Sequence, residues 1–398
     1  MIRKNRRGRW IAGVGWLTVA ACGSEPIAPL RIEIPAEFVL DRTSQLAAIV
    51  TQSADYSSGA VSLVSFNGAS MATMKSITTV HSDAIGRFQD RQLLVTNRLG
   101  ADNIEFIDLP AVGAAERFLT IRQLALATPE QPLNLQDVVL IDTTKAYVIS
   151  AQGDEVIVFN PTTGVRATPI DLSPFTRPHS AAKAASLVRA GDQVLVALQN
   201  LDETFSPSGD SRVVVIDVAA DTVVDTDPHE AGVQAIELEL QNPFARIILN
   251  SSETEVLVAS TGSFFGDPDG GIEAIDLSDY STRVAISEET VGGNLNWIGL
   301  MPDGNTGYAV ISKADFTNAI VRLDTQDDLW TAVVTSGALA SIDAIGANPA
   351  IDAQGRLWIP DRKFDQHGIR VFSGDTEDEV TDGAVDVGLP PADIVLLQ

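Results

Sequence analysis

The stretch DVVLIDTTKAYVIS, residues 137–150, consists of two short apolar segments separated by the polar turn DTTK. Apolar segments of this length joined by turn-forming residues are typical of a β-hairpin. The same arrangement recurs in RIILNSSETEVLVAS at 246–260 and in WIGLMPDGNTGYAVIS at 297–312. The chain is therefore expected to be built from repeated hairpins rather than from helices.

Each hairpin is followed by a polar loop and a third strand that ends in Asp, Asn or Ser. The second strands of the hairpins are predicted at Leu46–Gln52, Leu93–Asn97, Ala146–Ser150, Val194–Asn200, Val256–Thr261, Gly307–Ser312 and Arg356–Asp361. The third strands end at Asn67, Asp108, Asn160, Asp217, Asp276, Asp324 and Ser373. A strand repeat of about 40 to 60 residues is that of one propeller blade. The sequence predicts an all-β, seven-bladed β-propeller in which each blade runs from an inner strand A to a weaker outer strand D.

The two ends of the repeat array predict how the ring closes. The first pair of strands has no strand A before it, whereas the segment ADIVLL at 392–397 has the form of a strand A with no successor. The C-terminal strand is thus expected to complete the first blade, which protects sheet edges from aggregation. An eight-bladed ring that uses residues 31–45, or a pair of β-sandwiches, are the alternatives. The segment Ala114–Leu126 is predicted as an outer strand in preference to a helix.

Composition restricts the class of protein. The chain has 398 residues, of which 45% are hydrophobic, and this is enough apolar material for a large core. It carries 53 acidic and 27 basic residues, a formal net charge of −26. Because such a chain repels phosphate backbones, we expect no nucleic-acid partner.

The N-terminus is predicted to be a targeting segment. Residues 1–21 combine a basic start with an apolar run that is too short to span a bilayer, as in a secretory signal peptide. Val19-Ala20-Ala21-Cys22 resembles the bacterial lipobox, and Cys22 is the only cysteine of the chain. We therefore expect lipidation at Cys22, a lipid-anchored tether at 22–30 and a single propeller domain at 31–398. The resemblance implies a bacterial cell-envelope protein held to the lipid bilayer by its N-terminal lipid, at the outer membrane if the cell is Gram-negative.

One blade carries a family resemblance. Leu94-Val95-Thr96-Asn97, followed by the strand Asn103–Asp108, resembles the surface-layer β-propeller repeat family named for its Tyr-Val-Thr-Asn core. The other repeats keep the spacing of the motif and depart from its letters. This family contains extracellular binding modules without a common catalytic motif. The resemblance therefore implies a binding or scaffolding function rather than a reaction.

The loops between strands B and C are the predicted recognition face. In an antiparallel blade these loops emerge on one side of the ring, and several of them are long, as expected of binding loops. Their aromatic and acidic side chains suit a protein or glycan partner, and the candidate ligand-binding residues are Asp202, Phe205, Phe264, Phe265, Asp267, Asp269, Phe316 and Phe364. No cofactor is predicted, although the Gly-rich segment around Asp267 and Asp269 makes Ca²⁺ possible because flexible oxygen ligands suit that ion.

The mouth of the central channel is the predicted site of an alternative function. Polar residues that lead into the A strands converge there, and the candidate metal ligands are Asp83, Asp137, His179, Asn296 and Asp343, with His81, Asn294 and Asp393 nearby. Such a set resembles the axial sites of lactonase-type propellers and implies a metal-dependent hydrolase or lyase. The sequence contains no Gly-x-Ser-x-Gly elbow and no phosphate-binding loop. The leading hypothesis is therefore a non-catalytic, envelope-anchored binding or scaffolding lipoprotein.

Overall fold

The computed structural model describes residues 29–38, 44–68, 70–111, 114, 117–127, 132–176, 182–264 and 268–397. The predicted signal peptide and Cys22 lie outside these residues. The strands, in chain order, are β1 (Leu30–Glu33), β2 (Gln45–Gln52), β3 (Gly59–Phe66), β4 (Met71–Val80), β5 (Ile85–Gln89), β6 (Gln92–Asn97), β7 (Asn103–Asp108), β8 (Phe118–Ala125), β9 (Leu135–Leu140), β10 (Ala146–Ser150), β11 (Glu155–Phe159), β12 (Ile170–Asp171), β13 (Ala184–Ala190), β14 (Gln193–Leu198), β15 (Arg212–Asp217), β16 (Thr222–Val223), β17 (Ile236–Glu237), β18 (Ile248–Leu249), β19 (Glu255–Ser260), β20 (Gly271–Asp276), β21 (Thr282–Ser287), β22 (Asn294–Leu300), β23 (Thr306–Ser312), β24 (Asn318–Asp324), β25 (Thr331–Val334), β26 (Ala350–Ile351), β27 (Arg356–Asp361), β28 (Gly368–Ser373) and β29 (Pro391–Leu397). The helical elements of the described part are α1 (Glu288–Val291) and two 3₁₀ turns at Ser173–Phe175 and Leu339–Ser341.

The strands form seven antiparallel sheets arranged as the blades of a ring. From the axis outward, blade 1 is β29-β2-β3-β4, blade 2 is β5-β6-β7-β8-β1, blade 3 is β9-β10-β11-β12, blade 4 is β13-β14-β15-β16 with β17 also on β15, blade 5 is β18-β19-β20-β21, blade 6 is β22-β23-β24-β25 and blade 7 is β26-β27-β28. The predicted seven-bladed β-propeller is confirmed. Each predicted second strand lies within two residues of the observed strand at both ends.

The middle strands of the blades are mostly apolar because both faces are covered by neighbouring blades. All eight residues of β3 and all five residues of β10 are buried. Tyr147 of blade 3 packs in one cluster with Leu187 and Val214 of blade 4, with each of the three side chains fully inaccessible. The hydrophobic core is thus divided into layers between successive blades, and burial of these layers stabilises the ring.

Closure of the ring follows the predicted scheme. Strand β29 pairs with β2 along its length, with Leu397 opposite Leu46 and Ile394 opposite Ile49. Residues 30–33 form no eighth blade, because β1 pairs with β8 and becomes a fifth strand of blade 2. The predicted outer strand between 114 and 126 is confirmed as β8.

Blade 7 has three named strands, and its outer edge is covered by the segment that leads to β29. Phe372 and Ile369 of β28 form isolated bridges with Glu379 and Val385. No helix among the described residues is long and apolar enough to cross a membrane.

Candidate functional site

The interior of the channel holds two buried carboxylates, each close to an arginine. Asp137 on β9 accepts a hydrogen bond from Nε of Arg87 at 2.9 Å and a second bond from Nη2 of the same side chain. Its Oδ2 also accepts from the hydroxyl of Ser186 at 3.2 Å and from the amide of Leu187 at 3.1 Å. Burial alone would raise the pKa of Asp137, but the charge and hydrogen bonds of Arg87 outweigh burial and hold that pKa below its ordinary value.

The second carboxylate is that of Asp393 on the closing strand β29. Its Oδ2 accepts from the amide of Gly86 at 2.7 Å and lies 3.5 Å from Nη2 of Arg246, which also donates to the carbonyl of Gly86 at 2.9 Å. The hydroxyl of Ser186 accepts from the amide of Ile247 at 3.1 Å. These contacts join blades 1 to 5 through residues on their inner strands or, in blade 5, just before the inner strand. We call this set the axial ion-pair network (Arg87, Asp137, Ser186, Arg246 and Asp393).

The remaining predicted metal ligands are held in separate places. Asp83 pairs with Arg98 at 2.5 Å, and Nδ2 of Asn296 donates to the hydroxyl of Ser312 at 2.6 Å. Asp343 is exposed on the B–C loop side, between blades 6 and 7. His179 lies outside the described residues. Within the described chain, no group of three or more His, Cys, Asp and Glu side chains is placed to hold a metal ion.

Two B–C loops share one turn that presents an aromatic side chain. In Asp55-Tyr56-Ser57 of blade 1 and Asp315-Phe316-Thr317 of blade 6, the aspartate Oδ1 accepts from the amide two residues on at 3.1 Å and from the adjacent hydroxyl at 2.7 Å. These bonds lower the pKa of Asp55 to about 2 and lower the pKa of Asp315. Both carboxylates are therefore ionised and committed to their own turns.

The aromatic residue of each turn has a left-handed backbone. The φ angles are 59° at Tyr56 and 66° at Phe316, in a region that bulky side chains avoid because of steric strain. The side chains are 66% and 82% exposed, respectively, so their rings contribute little to the core. A strained backbone that presents an exposed ring is the kind of feature found at binding sites.

The two turns flank blade 7, whose own B–C loop carries Phe364 at 91% exposure. Together they line a cleft of about 640 Å³ whose volume falls in the range of small-molecule sites. We call it the aromatic cleft and define it by Tyr56, Phe316 and Phe364 on its rim and by Asp343, Arg362 and His367 among its polar lining residues.

Arg362 is the half-buried cation of the aromatic cleft. Its Nη1 donates a hydrogen bond to the carbonyl of Pro391 at 3.3 Å, and the guanidinium forms no ion pair with any residue that the structure describes. Burial lowers its pKa, since the charged form loses solvent without gaining a carboxylate. His367 places Nε2 3.1 Å from the carbonyl of Gly388, and no hydrogen bond from a described residue reaches its second ring nitrogen.

The other predicted loop residues that the structure describes lie outside this cleft. Phe205 of blade 4 is 61% exposed at φ 61°, and Asp202 beside it accepts from the amide and the hydroxyl of Thr204 at 2.8 and 2.7 Å. Phe264 of blade 5 packs edge-to-face on Phe244 with ring centroids 5.2 Å apart.

Of the two predicted calcium ligands of blade 5, the structure describes Asp269. Asp269 accepts from the amide and hydroxyl of Ser263 at 2.7 and 2.9 Å, and so it fixes its own loop. Phe265 and Asp267 lie outside the described residues. Calcium binding at this loop stays a prediction.

Sequence reasoning missed Tyr56, Arg362 and His367. A signal for Tyr56 was present, because Asp55-Tyr56-Ser57 and Asp315-Phe316-Thr317 are the same Asp-aromatic-hydroxyl pattern at the same place in two repeats. Arg362 and His367 carry no such signal. Their importance depends on which blades meet beside them, and this becomes visible only in the folded ring.

Comparison with known proteins supports the fold. No protein-family model and no curated protein sequence matches the chain. Among solved structures, it is similar to a putative 6-phosphogluconolactonase from Bacteroides fragilis, at 14% identity and a TM-score of 0.59, over 92% of this chain and 100% of that one. It is also similar to a periplasmic gluconolactonase from Pseudomonas aeruginosa, at 14% identity and a TM-score of 0.57, over 89% of this chain and 99% of that one.

A protein from Lactobacillus plantarum is similar as well, at 10% identity and a TM-score of 0.60, over 89% of this chain and 100% of that one. At such identities the likeness shows the propeller fold alone. The resemblance to the Tyr-Val-Thr-Asn repeat family stays a prediction.

Proposed function

We propose that this protein is an envelope-anchored, non-catalytic binding or scaffolding module whose B–C loop face is the recognition surface. The observation that carries the proposal is the aromatic cleft, where blades 6, 7 and 1 each contribute one highly exposed ring. Exposed rings in one contiguous area are uncommon on soluble surfaces without a partner. Two of them are held on a strained backbone, which adds to the argument because a purely structural turn favours Gly or Asn there.

The proposed anchor has a geometric consequence. Strand β1 runs antiparallel to the outer strand β8, so the chain enters β1 from the B–C loop side of the ring. A tether at 22–29 extends over about 25 Å at most, at about 3.3 Å per residue. If Cys22 carries a lipid, the recognition face is held on the side of the ring that lies toward the membrane.

The experiment compares two triads of apolar surface residues in the full chain. Wild type, the variant Tyr56→Ser/Phe316→Ser/Phe364→Ser, and the control variant Leu329→Ser/Val333→Ser/Val334→Ser are incubated in detergent with bead-coupled polysaccharide and protein fractions of a bacterial envelope. The control residues are also exposed, at 75%, 59% and 80%, but they lie at the outer edge of blade 6. We expect at least 10-fold less retention of the aromatic variant than of wild type on one fraction. The control variant should be retained on that fraction as wild type is. Equal retention of all three proteins, or none of wild type, would overturn the proposal.

The alternative of a metal-dependent hydrolase or lyase at the channel mouth stays a hypothesis. The neighbours named as lactonases share only the fold with this chain. In the described channel, Asp137 already bonds to Arg87 and Asp393 contacts Arg246. An arginine in contact competes with a metal ion for the same carboxylate. This supports a binding module over a metal-dependent enzyme.

A further inference from the structure

Basic side chains lie among acidic ones around the aromatic cleft. Lys313, Arg362 and Lys363 lie in the two B–C loops that flank the cleft on blades 6 and 7, together with Asp315, Asp361 and Asp365. Asp361 in the same region is held by Arg370, with 3.5 Å between Oδ2 and Nη1, and Asp315 is committed to its turn. The half-buried Arg362 is the cation of the cleft that has no carboxylate partner among the described residues.

The rest of the cleft suits a ring that bears hydroxyl groups. The three aromatic rings offer apolar faces on which the C–H face of a saccharide ring can stack. Among the other lining residues, the exposed carboxylate of Asp343 can accept hydrogen bonds, and the second ring nitrogen of neutral His367 can also accept, because Nε2 carries the proton that faces the carbonyl of Gly388. A flat apolar ligand would leave these polar groups unused, and a neutral saccharide would leave Arg362 without a partner.

We infer that the aromatic cleft binds an acidic saccharide, a uronate whose rings stack on Tyr56, Phe316 and Phe364 and whose carboxylate pairs with Arg362. This inference rests on the proposed function, since it names the ligand class of the same face. Arginine suits the role because its planar donor set matches a carboxylate in two-point contact. The aromatic rim supplies stacking that does not depend on the charge of the ligand.

The probe is trigalacturonate, titrated calorimetrically into the full chain beside its fully methyl-esterified form, which has the same rings and no charge. We expect the ester to bind at least 10-fold more weakly than the acid. Arg362→Gln should weaken binding of the acid by a similar factor and leave binding of the ester unchanged, because the substitution removes only the charge-dependent contact. Phe364→Ala should weaken both ligands by a common factor of about 5 to 10, as loss of one stacking contact predicts.

Phe205→Ala is the matched control, since Phe205 is another exposed phenylalanine in a B–C loop but lies on blade 4. It should bind both ligands as wild type does, and unfolding transitions of all variants show that they are folded. Sodium benzoate serves as a further arm, because an aromatic carboxylate that binds as tightly as trigalacturonate would overturn the saccharide class. Equal affinity for acid and ester, an equal effect of Arg362→Gln on both, or no binding of the acid would overturn the inference. The proposed function would still stand if envelope retention depended on the aromatic triad.

Discussion

Arg87 of blade 2 and Asp137 of blade 3 form a two-point ion pair inside the channel, and the exposed fractions of their side chains are only 19% and 4%. The same guanidinium donates to the carbonyl of Leu187 in blade 4 at 3.0 Å. One side chain therefore links three consecutive blades at the axis, where the inner strands are closest. Both residues lie on inner strands, and here they hold the ring together.

Asp137→Ala should lower the free energy of unfolding by about 3 kcal/mol, because it leaves the charge of Arg87 in a mostly buried place without its partner. The measurement is urea unfolding at pH 7. Asp137→Asn should cost less, since it keeps the size of the side chain and one acceptor. A loss below about 0.5 kcal/mol for the alanine variant would contradict this role.

The same pair predicts a response to acid. Because the pKa of Asp137 lies below its ordinary value of 3.8 in the folded protein, its stabilisation is complete above that pH and is lost as the pH falls through the lowered pKa. Acid unfolding should therefore differ between wild type and Asp137→Asn. The two proteins should converge in stability, to within about 0.5 kcal/mol, as the pH falls below the lowered pKa. A stability difference that stays constant from pH 7 to the acid transition would show that the ionised carboxylate does not stabilise the folded protein.

Strand β29 was predicted from one unpaired segment at the end of the chain, and its position in the ring is the most consequential part of the fold. Ile394→Pro should destabilise the protein by about 3 kcal/mol or more, because Ile394 lies opposite Ile49 and its amide donates to the carbonyl of Asn348 of the neighbouring blade at 2.9 Å. Ile32→Pro in β1 is the control, since this strand is an outer addition to blade 2. Thermal unfolding should show a much larger fall in Tm for the first variant. Equal effects would mean that closure by β29 contributes no more than an edge strand.

The fold was predictable from the sequence because the pair of strands B and C recurs seven times and the residues of each pair are close together in the chain. Local patterns also placed Phe316 and Phe364 on the correct loops. They could not show that Phe316 and Phe364 line one cleft with Tyr56, because this depends on the ring bringing residues of its first blade beside those of its last. Nor could they show that Asp137 faces Arg87, since a polar residue before a strand A looks the same whether it binds a metal or an arginine.

Metal removal tests the alternative function directly. We expect the full chain, purified without chelator, to show no change in Tm when EDTA is added and no stabilisation by millimolar Ca²⁺. The physical reason is that Asp83 and Asp137 are bonded to Arg98 and Arg87, and Asp269 to Ser263. Elemental analysis of the same sample is the independent measurement. A stoichiometric metal together with a fall in Tm on chelation would favour a metal site and justify testing lactone hydrolysis.

Glu288 should make the contact between blades 5 and 6 sensitive to pH near neutrality. Glu288 is fully buried and is the first residue of α1. Its carboxylate accepts hydrogen bonds from the amide of Gly270 at 3.0 Å and from the amide of Leu295 at 2.5 Å. Burial raises the pKa of Glu288 to about 7, with a further contribution from the charge of Asp269, although the two amide donors oppose the shift. A folded-state pKa above the ordinary 4.5 means that the native protein holds the proton more tightly than the unfolded chain.

The stabilisation linked to this proton is therefore fully present below pH 4.5 and is lost as the pH rises through about 7. Urea unfolding of wild type and Glu288→Gln at pH 5, 6, 7 and 8 measures it, because both proteins share every other titrating group. We expect wild type to lose stability relative to the variant across this range, whatever the variant does to the absolute value. A difference between the two proteins that is independent of pH, or that changes in favour of wild type as the pH rises, would show that the two amide donors outweigh burial and keep Glu288 ionised throughout.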